Sequence, residues 1–328
     1  MSSSDNDVVI DPQTIKELQV FEAAISDVDT EVTAKQYLMS RAIFEARQRT
    51  IAKIPSFWAV TFDNAAAELE AAVTPADLEV FSAALTAVEV TRPEIPASAS
   101  PSDVGLDKFG EPRSLCFTFR FSENEWFSDP VLTKTFYFRY GADGSAGLVS
   151  EPVKVHWKSS DKDLTKGLGD AALEFWRAQK ADPSQQLDGV LANAARHARD
   201  AAAKKMPAYK ALAARLEDNA EGIVSFFNFF SYRGRWISAA EHVEAKAKLL
   251  AKRQAAISGS EMDEDEDDDD EDEDFTEEAV ETFPAGHEVA VTLAEDIFPN
   301  AIDYFMGTAI DSDIEIDDDE DEDEEMEG

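Results

Sequence analysis

The sequence has little cysteine and little positive charge, and both shortages limit what the protein can be. Its 328 residues include a single cysteine, Cys116, so no disulfide can form within the chain. Lys and Arg number 30 against 69 Asp and Glu, which gives a formal net charge of -39. Proteins bind nucleic acid by neutralising phosphates with Lys and Arg, so we expect no strong direct binding to nucleic acid. The expected partner is strongly basic.

Long apolar runs are also missing. No stretch of 18 apolar residues is present, so we expect no membrane span. The opening residues MSSSDNDVVI lack the basic and apolar regions of a signal peptide, which favours an intracellular protein. The segment KAKLLAKR, residues 246–253, is a diluted basic cluster. We interpret it mainly as helix surface and only weakly as a nuclear import signal.

The motifs of common catalytic and cofactor sites are absent as well. The sequence contains no HExxH, CxxC, GxGxxG or GxxxxGK[ST] pattern. The glycine-rich YGADGSAG joins two predicted strands, so we interpret it as a hairpin turn. The acidic run at 261–274 has no glycine, which an EF-hand loop requires. We therefore predict a protein that is not an enzyme and that has no cofactor and no specific metal site.

What the chain has in excess is acid, concentrated in two tracts. Residues 261–281 contain 16 acidic residues and residues 311–328 contain 13, and neither tract contains Lys or Arg. Without those 29 charges the rest of the chain carries only -10. Runs of like charge repel themselves, so we predict a disordered acidic loop, a disordered acidic tail and a disordered N-terminus over residues 1–10. A purely solubilising role is the alternative, but it explains poorly why two runs flank one folded segment.

A long amphipathic helix is predicted for residues 11–54. Asp11 can cap it, Pro12 suits its first position and Pro55 ends it. Apolar side chains repeat at intervals of seven over about 40 residues, or roughly 60 Å. Such a stripe packs either on its own domain or on a second copy of the chain, and we favour a homodimer with a coiled-coil interface. The predicted interface residues are Leu18, Phe21, Ile25, Val28, Val32 and Met39.

Downstream of this helix the sequence predicts an α+β domain over residues 55–260 and 282–310. Four runs alternate apolar and polar residues, at AVEVTR, LCFTFRF, LTKTFYFRY and VSEPVKVHW, which predicts a four-stranded antiparallel sheet. An Ala-rich helix around 64–72 and a helix at TPADLEVF precede it. A helical insertion over 169–220, an aromatic core segment (IVSFFNFFSYRGRW), a helix at 238–257 and a last helix broken at Pro299 follow it.

Two polyanionic tracts on an acidic body are typical of a protein that handles basic polypeptides such as histones. Acidic groups pair with the cations that would otherwise attach to DNA. Because exposed ion pairs are individually weak, often below about 1 kcal/mol, useful affinity needs many charges together with a shaped contact. Charge complementarity alone does not distinguish one histone pair from another.

Six blocks of the sequence occur in the order seen in one family. They are IPSFWAVTFDN after the long helix, VEVTR, FRFSENEWFSDPVLTKTFYF, VHWKSSDKDLTK, SFFNFF and EDIFPNAIDYF. Together they resemble the nucleosome assembly protein family and, within it, the SET branch, with Phe298 in place of a tryptophan. The resemblance covers roughly residues 12–166, 221–232 and 288–328. The stretches 169–220 and 233–287 are longer than the family pattern, and the second carries an acidic tract before the last helix.

This resemblance implies a headphone-shaped homodimer whose long helices cross and whose end domains bind core histones on a concave underside. The implied function is that of a nuclear histone chaperone, shuttling with the cytoplasm, that promotes nucleosome assembly and histone hand-over. The SET likeness also permits a regulator that inhibits a protein phosphatase or activates a histone acetyltransferase. The candidate histone-binding residues by matching blocks are Asp161, Asp163, Glu295, Asp296 and Asp303. The acidic tracts add Asp267, Asp268, Asp269, Asp270, Asp317, Asp318 and Asp319.

Overall fold

The first element of the fold is one long helix. The computed structural model describes residues 11–69, 72–219, 224–258 and 280–309. Helix α1 spans Pro12–Ile51, and the Asp11 side chain caps it by accepting a hydrogen bond from the backbone N–H of Thr14 at 3.3 Å. The predicted long N-terminal helix is therefore confirmed, with its last helical residue a few positions before Pro55.

Two short helices connect α1 to the sheet. Helix α2 spans Phe57–Asn64, so the predicted Ala-rich helix around 64–72 is wrong, and residues 65–69 form turns. The reason is packing: Phe57, Trp58 and Phe62 are buried, and their apolar contacts outweigh the helix propensity of the alanines that follow. Helix α3 spans Pro75–Ala84 and begins at a capping box.

The predicted four-stranded antiparallel sheet is confirmed, with the strands in sequential order. The strands are β1 (Leu85–Thr91), β2 (Leu115–Phe121), β3 (Val131–Tyr140) and β4 (Ala146–Ser150). The run VSEPVKVHW predicted a last strand over residues 149–157. The observed strand β4 begins earlier, at Ala146, and is shorter, ending at Ser150. After it, the chain leaves β3 to follow the aromatic segment, where the Val153 N–H donates to the Phe230 carbonyl at 2.7 Å.

One face of the sheet packs against that aromatic segment. Its centre is a 3-10 turn at Phe226–Phe230, all five residues of which are buried. Lys134 of β3 is fully buried beside it. The Lys134 Nζ donates to the carbonyls of Glu151 at 2.8 Å, Phe230 at 3.1 Å and Tyr232 at 2.6 Å. Desolvation by burial lowers the pKa of Lys134, and the three acceptors tie the sheet to the segment that covers it.

The stretch predicted as a helical insertion forms a second, smaller unit. It consists of helices α4 (Leu168–Ala181), α5 (Asn193–Ala203) and α6 (Pro207–Asp218). Pro207 takes the first position of α6, where its missing N–H costs nothing. Helix α7, Ala239–Ser258, then returns along β3 and α1.

The last described segment closes the domain. Helix α8 spans Gly286–Thr292, a π-helical turn follows at Leu293–Ile297, and helix α9 spans Ala301–Met306, so the predicted break at Pro299 is confirmed. Arg47 of α1 donates to the carbonyls of Phe298 at 2.7 Å and Pro299 at 2.8 Å. The Phe298 ring stacks on Trp58 with 6.1 Å between centroids. The end of α1 and the closing helix are therefore fixed to each other.

Candidate functional site

The six predicted interface residues of α1 lie on its exposed side. Their exposed fractions run from 52% for Leu18 to 66% for Phe21 and Met39. The other side of the helix contacts its own domain: Thr30 and Ala34 are buried, and Asp27 pairs with Arg253 of α7 at 2.9 Å. The apolar stripe therefore does not pack on the domain of its own chain, and the homodimer interface stays a prediction.

The two candidate acids after the sheet differ in their surroundings. Asp163 stabilises a turn, because its carboxylate accepts hydrogen bonds from the Thr165 N–H at 2.9 Å, the Thr165 hydroxyl at 2.6 Å and the Gly167 N–H at 2.8 Å. Asp161 is exposed in the 3-10 turn at Ser160–Lys162. Of these two candidates, Asp161 has the carboxylate that is more open to a partner.

The three candidate acids in and before helix α9 also differ in their surroundings. Glu295 forms an ion pair with Arg92, which follows β1. The Asp296 carboxylate accepts from the Tyr304 hydroxyl at 2.6 Å and from the Asn300 side-chain amide at 2.8 Å. Asp303 is exposed on α9.

Sequence reasoning missed Glu68, which lies with this group. Burial, the hydrogen bond and charge of Asp296, and the charge and hydrogen bond of Glu68 together raise the pKa of the Tyr304 phenol. The phenol therefore stays protonated between two carboxylates. The sequence signal for Glu68 was weak, since the residue lies in the stretch where a helix was wrongly predicted.

Glu68 and Asp296 meet at the Tyr304 hydroxyl, and the exposed Asp303 directly precedes Tyr304 in the chain. We call these three acids the acidic patch. Within the described part of the chain, none of these three carboxylates forms an ion pair. A cation from a partner would therefore find negative charge that is not already compensated.

The structure places the acidic patch and Asp161 on different elements. The patch belongs to the end of α2 and to the closing helix, where the Asn64 amide donates to the Tyr304 carbonyl at 2.7 Å. The segment before Asp161 is attached to the β2–β3 connection, through the Lys158 N–H to the Trp126 carbonyl at 2.8 Å. The candidate acids of the two tracts, at 267–270 and 317–319, lie outside the described residues.

The remaining chemistry of the described residues is that of a folded scaffold. Among them, no group of three His, Cys, Asp or Glu side chains is arranged to hold a metal ion. Nor does any helix of the described ranges combine the length and apolarity needed to cross a bilayer. Cys116 is half-buried on the sheet face opposite the phenylalanines, as predicted, and its Sγ accepts from the Thr135 hydroxyl at 3.4 Å.

Comparison with known proteins gives a consistent result. Residues 9–308 match the family model described as nucleosome assembly protein (NAP). NAP1-related protein 1 of Arabidopsis thaliana is 29% identical over 169 residues, which cover 50% of this chain and 57% of the relative. Protein SETSIP of Homo sapiens is 32% identical over 135 residues, covering 41% of this chain and 39% of the relative. The crystal structure of Ccp1 aligns over 92% of this chain and 98% of that one, with 20% identity and a TM-score of 0.46. The chain spans a little over half the length of the first curated relatives it matches.

Proposed function

Because the chain belongs to the nucleosome assembly protein family, we propose that it is a histone chaperone that binds core histones and promotes nucleosome assembly and histone hand-over. The observation that carries the proposal is the acidic patch on a chain whose net charge is -39. The patch carries carboxylates without cationic partners among the described residues, so it suits the Lys and Arg side chains of a histone. In this proposal the protein acts by binding and has no catalytic role.

The physical task of such a protein is to compete with DNA for the same cations. A histone bound by many weak ion pairs is released when DNA offers more of them, which permits hand-over rather than permanent capture. The folded patch supplies a fixed geometry, and the two acidic tracts supply the number of charges. Asp161 is a further exposed candidate on a different element, and Glu295 is already paired with Arg92. Asp163 contributes mainly to the stability of its turn.

We further propose that two copies associate through the exposed stripe of α1. Large apolar side chains that are more than half exposed along one helix face favour burial against a partner. A second copy offers a stripe of the same period, which the predicted headphone-shaped dimer requires. Light scattering of the full-length protein should give twice the chain mass of 36.1 kDa, and Val28→Glu with Val32→Glu should shift it toward the monomer.

The test of histone binding compares two triple variants that remove the same charge. Glu68→Gln with Asp296→Asn and Asp303→Asn neutralises the patch, and Glu79→Gln with Glu174→Gln and Glu217→Gln neutralises exposed acids elsewhere. Fluorescence titration of a labelled histone pair at about 0.15 M salt should give at least roughly fivefold weaker binding for the patch variant, since three ion pairs of up to about 1 kcal/mol each are lost.

The control should change affinity by less than about twofold. Equal loss in both variants would show that only total charge counts, and the patch would not be the site. Deleting both acidic tracts should weaken histone binding without abolishing it. A nuclear location, with shuttling to the cytoplasm, belongs to the same proposal and is checked with a fluorescent fusion of the full-length chain.

A further inference from the structure

The helical insertion carries positive charge on an otherwise acidic chain. Residues 193–218 contain six Lys or Arg and three Asp or Glu. Lys204 and Lys205 directly follow helix α5, and Lys210 lies in the first turn of α6. All three are exposed, and within the described ranges none of them forms an ion pair. We call these three lysines the basic turn.

The first acidic tract ends inside the same unit. Val280 is 4% exposed and packs in the small core of the insertion, in one cluster with Ala203 and Leu212. Ala203 directly precedes Lys204. The next residue, Glu281, fixes the chain there, because its carboxylate accepts from the backbone N–H groups of Arg233 at 3.1 Å and Gly234 at 3.0 Å. The chain therefore enters the folded domain at the core cluster that contains Ala203, the residue before the basic turn.

The beginning of the tract lies elsewhere. Helix α7 starts at the insertion, where Glu241 and Arg196 form an ion pair with each side chain 2% exposed. The helix has 20 residues, so it is about 30 Å long. Arg253 near its end pairs with Asp27 of α1. The chain thus leaves α7 far from the insertion and returns to it at Val280.

This path limits where the acidic run can be. Asp274, the last residue of the run EMDEDEDDDDEDED, is six residues before Val280, and six residues of chain span at most about 20 Å. Thirteen of the 14 residues in the run are acidic. Tethering at both ends gives such a segment an effective concentration near the basic turn in the millimolar range, at which even weak ion pairs are populated.

We propose that the C-terminal part of the acidic run 261–274 docks in cis on the basic turn formed by Lys204, Lys205 and Lys210. Charge complementarity and the position of the Val280 anchor identify this segment of the same chain as the occupant. The consequence, which rests on the proposed function, is that a histone reaches the run only by displacing it from these lysines. Strongly basic partners would then be selected over weakly basic ones.

A zero-length carbodiimide crosslinker, which joins carboxylates to amines, tests the docking without any histone. The full-length protein, mixed as light and isotopically heavy chains, is crosslinked and digested for mass spectrometry. We expect crosslinks between the run and the basic turn within one chain, at least fivefold more frequent than to the exposed Lys53 and Lys158, and suppressed at 0.5 M salt. No such enrichment, or crosslinks only between light and heavy chains, would overturn the proposal.

A histone titration tests the consequence. Lys204→Glu with Lys205→Glu and Lys210→Glu is compared with Lys53→Glu, Lys108→Glu and Lys158→Glu, which make the same change in charge at exposed sites. The basic-turn variant should bind histones at least threefold more tightly than the control, and equal affinities would contradict the displacement step. If the crosslinks form but no variant binds histones, the docking proposal is upheld and the proposed function is rejected. Binding of a short DNA duplex to the intact protein through these lysines would show that the run is not their occupant.

Discussion

The main core and the helical insertion are stabilised by different interactions. The main core is aromatic: Phe229 is fully buried, with ring centroids 5.4 Å from Phe117 and 4.9 Å from Phe136. The core of the insertion is small and rich in alanine, and the buried Arg196–Glu241 pair attaches it to α7. Burial of aromatic rings dominates the first region, whereas the second combines a smaller apolar core with one buried ion pair. We therefore expect loss of an aromatic ring to destabilise the whole domain and loss of the buried ion pair to act locally at the insertion.

The largest expected effect is in the aromatic core. Phe229→Ala should lower the free energy of unfolding by about 3–5 kcal/mol, because the lost ring leaves a cavity that the sheet cannot fill. Urea denaturation followed by tryptophan fluorescence measures it, with the exposed Val243→Ala as control. A loss below about 1 kcal/mol would contradict the account of a tightly packed main core.

A somewhat smaller and more local effect is expected at the junction. Glu241→Ala removes the carboxylate that accepts from Arg196 and from the Ala142 N–H, and leaving a buried guanidinium unpaired costs about 3 kcal/mol. Hydrogen exchange should show faster exchange in α5 and α6, with the sheet unchanged. Replacing both partners, Arg196→Met with Glu241→Leu, should cost less than the single change. Uniform loss of protection across the whole domain would contradict a separate insertion.

The smallest effect is a dependence on pH where α7 packs on strand β3. His242 of α7 accepts a hydrogen bond at Nδ1 from the Tyr140 N–H at 3.0 Å. Burial, followed by the positive charges of Arg139 and Lys246, lowers the pKa of His242 to about 4 from its ordinary 6.5. In the unfolded chain it takes up a proton below about pH 6.5.

Its contribution is therefore complete above pH 6.5 and is lost as the pH falls to about 4, by no more than about 2 kcal/mol. His242→Gln keeps an acceptor for Tyr140 and should flatten the stability curve between these two pH values. Val243→Ala, at an exposed position of the same helix that does not titrate, should leave the curve unchanged. If stability depends on pH in the same way in the His242 variant, this residue is not the cause of the pH dependence.

The fold was predictable from the sequence wherever apolar residues recur with a single clear period. The stripe of α1 and the alternation in β2 and β3 each identify their element, and the aromatic segment was correctly assigned to the core. The helix predicted around 64–72 was wrong because buried aromatic side chains, rather than alanine propensity, decide where α2 ends. Strand β4 ends where it does because the chain after it bonds to the carbonyl of Phe230, about 80 residues later. No local sequence pattern predicts a contact at that separation.

The candidate site was less predictable for the same reason. Matching blocks selected Asp163, but spacing alone could not show that its carboxylate bonds to Thr165 and Gly167. Glu68 joins the acidic patch only because Tyr304, more than 200 residues later, packs beside it. Contacts between distant segments therefore determine which acids are open to a partner.

As a histone chaperone, the function proposed above, this protein would keep histones soluble in competition with DNA. The direct measurement is turbidity of core histones mixed with DNA at about 0.15 M salt, with increasing amounts of the full-length protein. The account predicts that turbidity falls as the protein is added and that the protection weakens as salt screens the charges. Histones that aggregate on DNA to the same extent with and without the protein would contradict it.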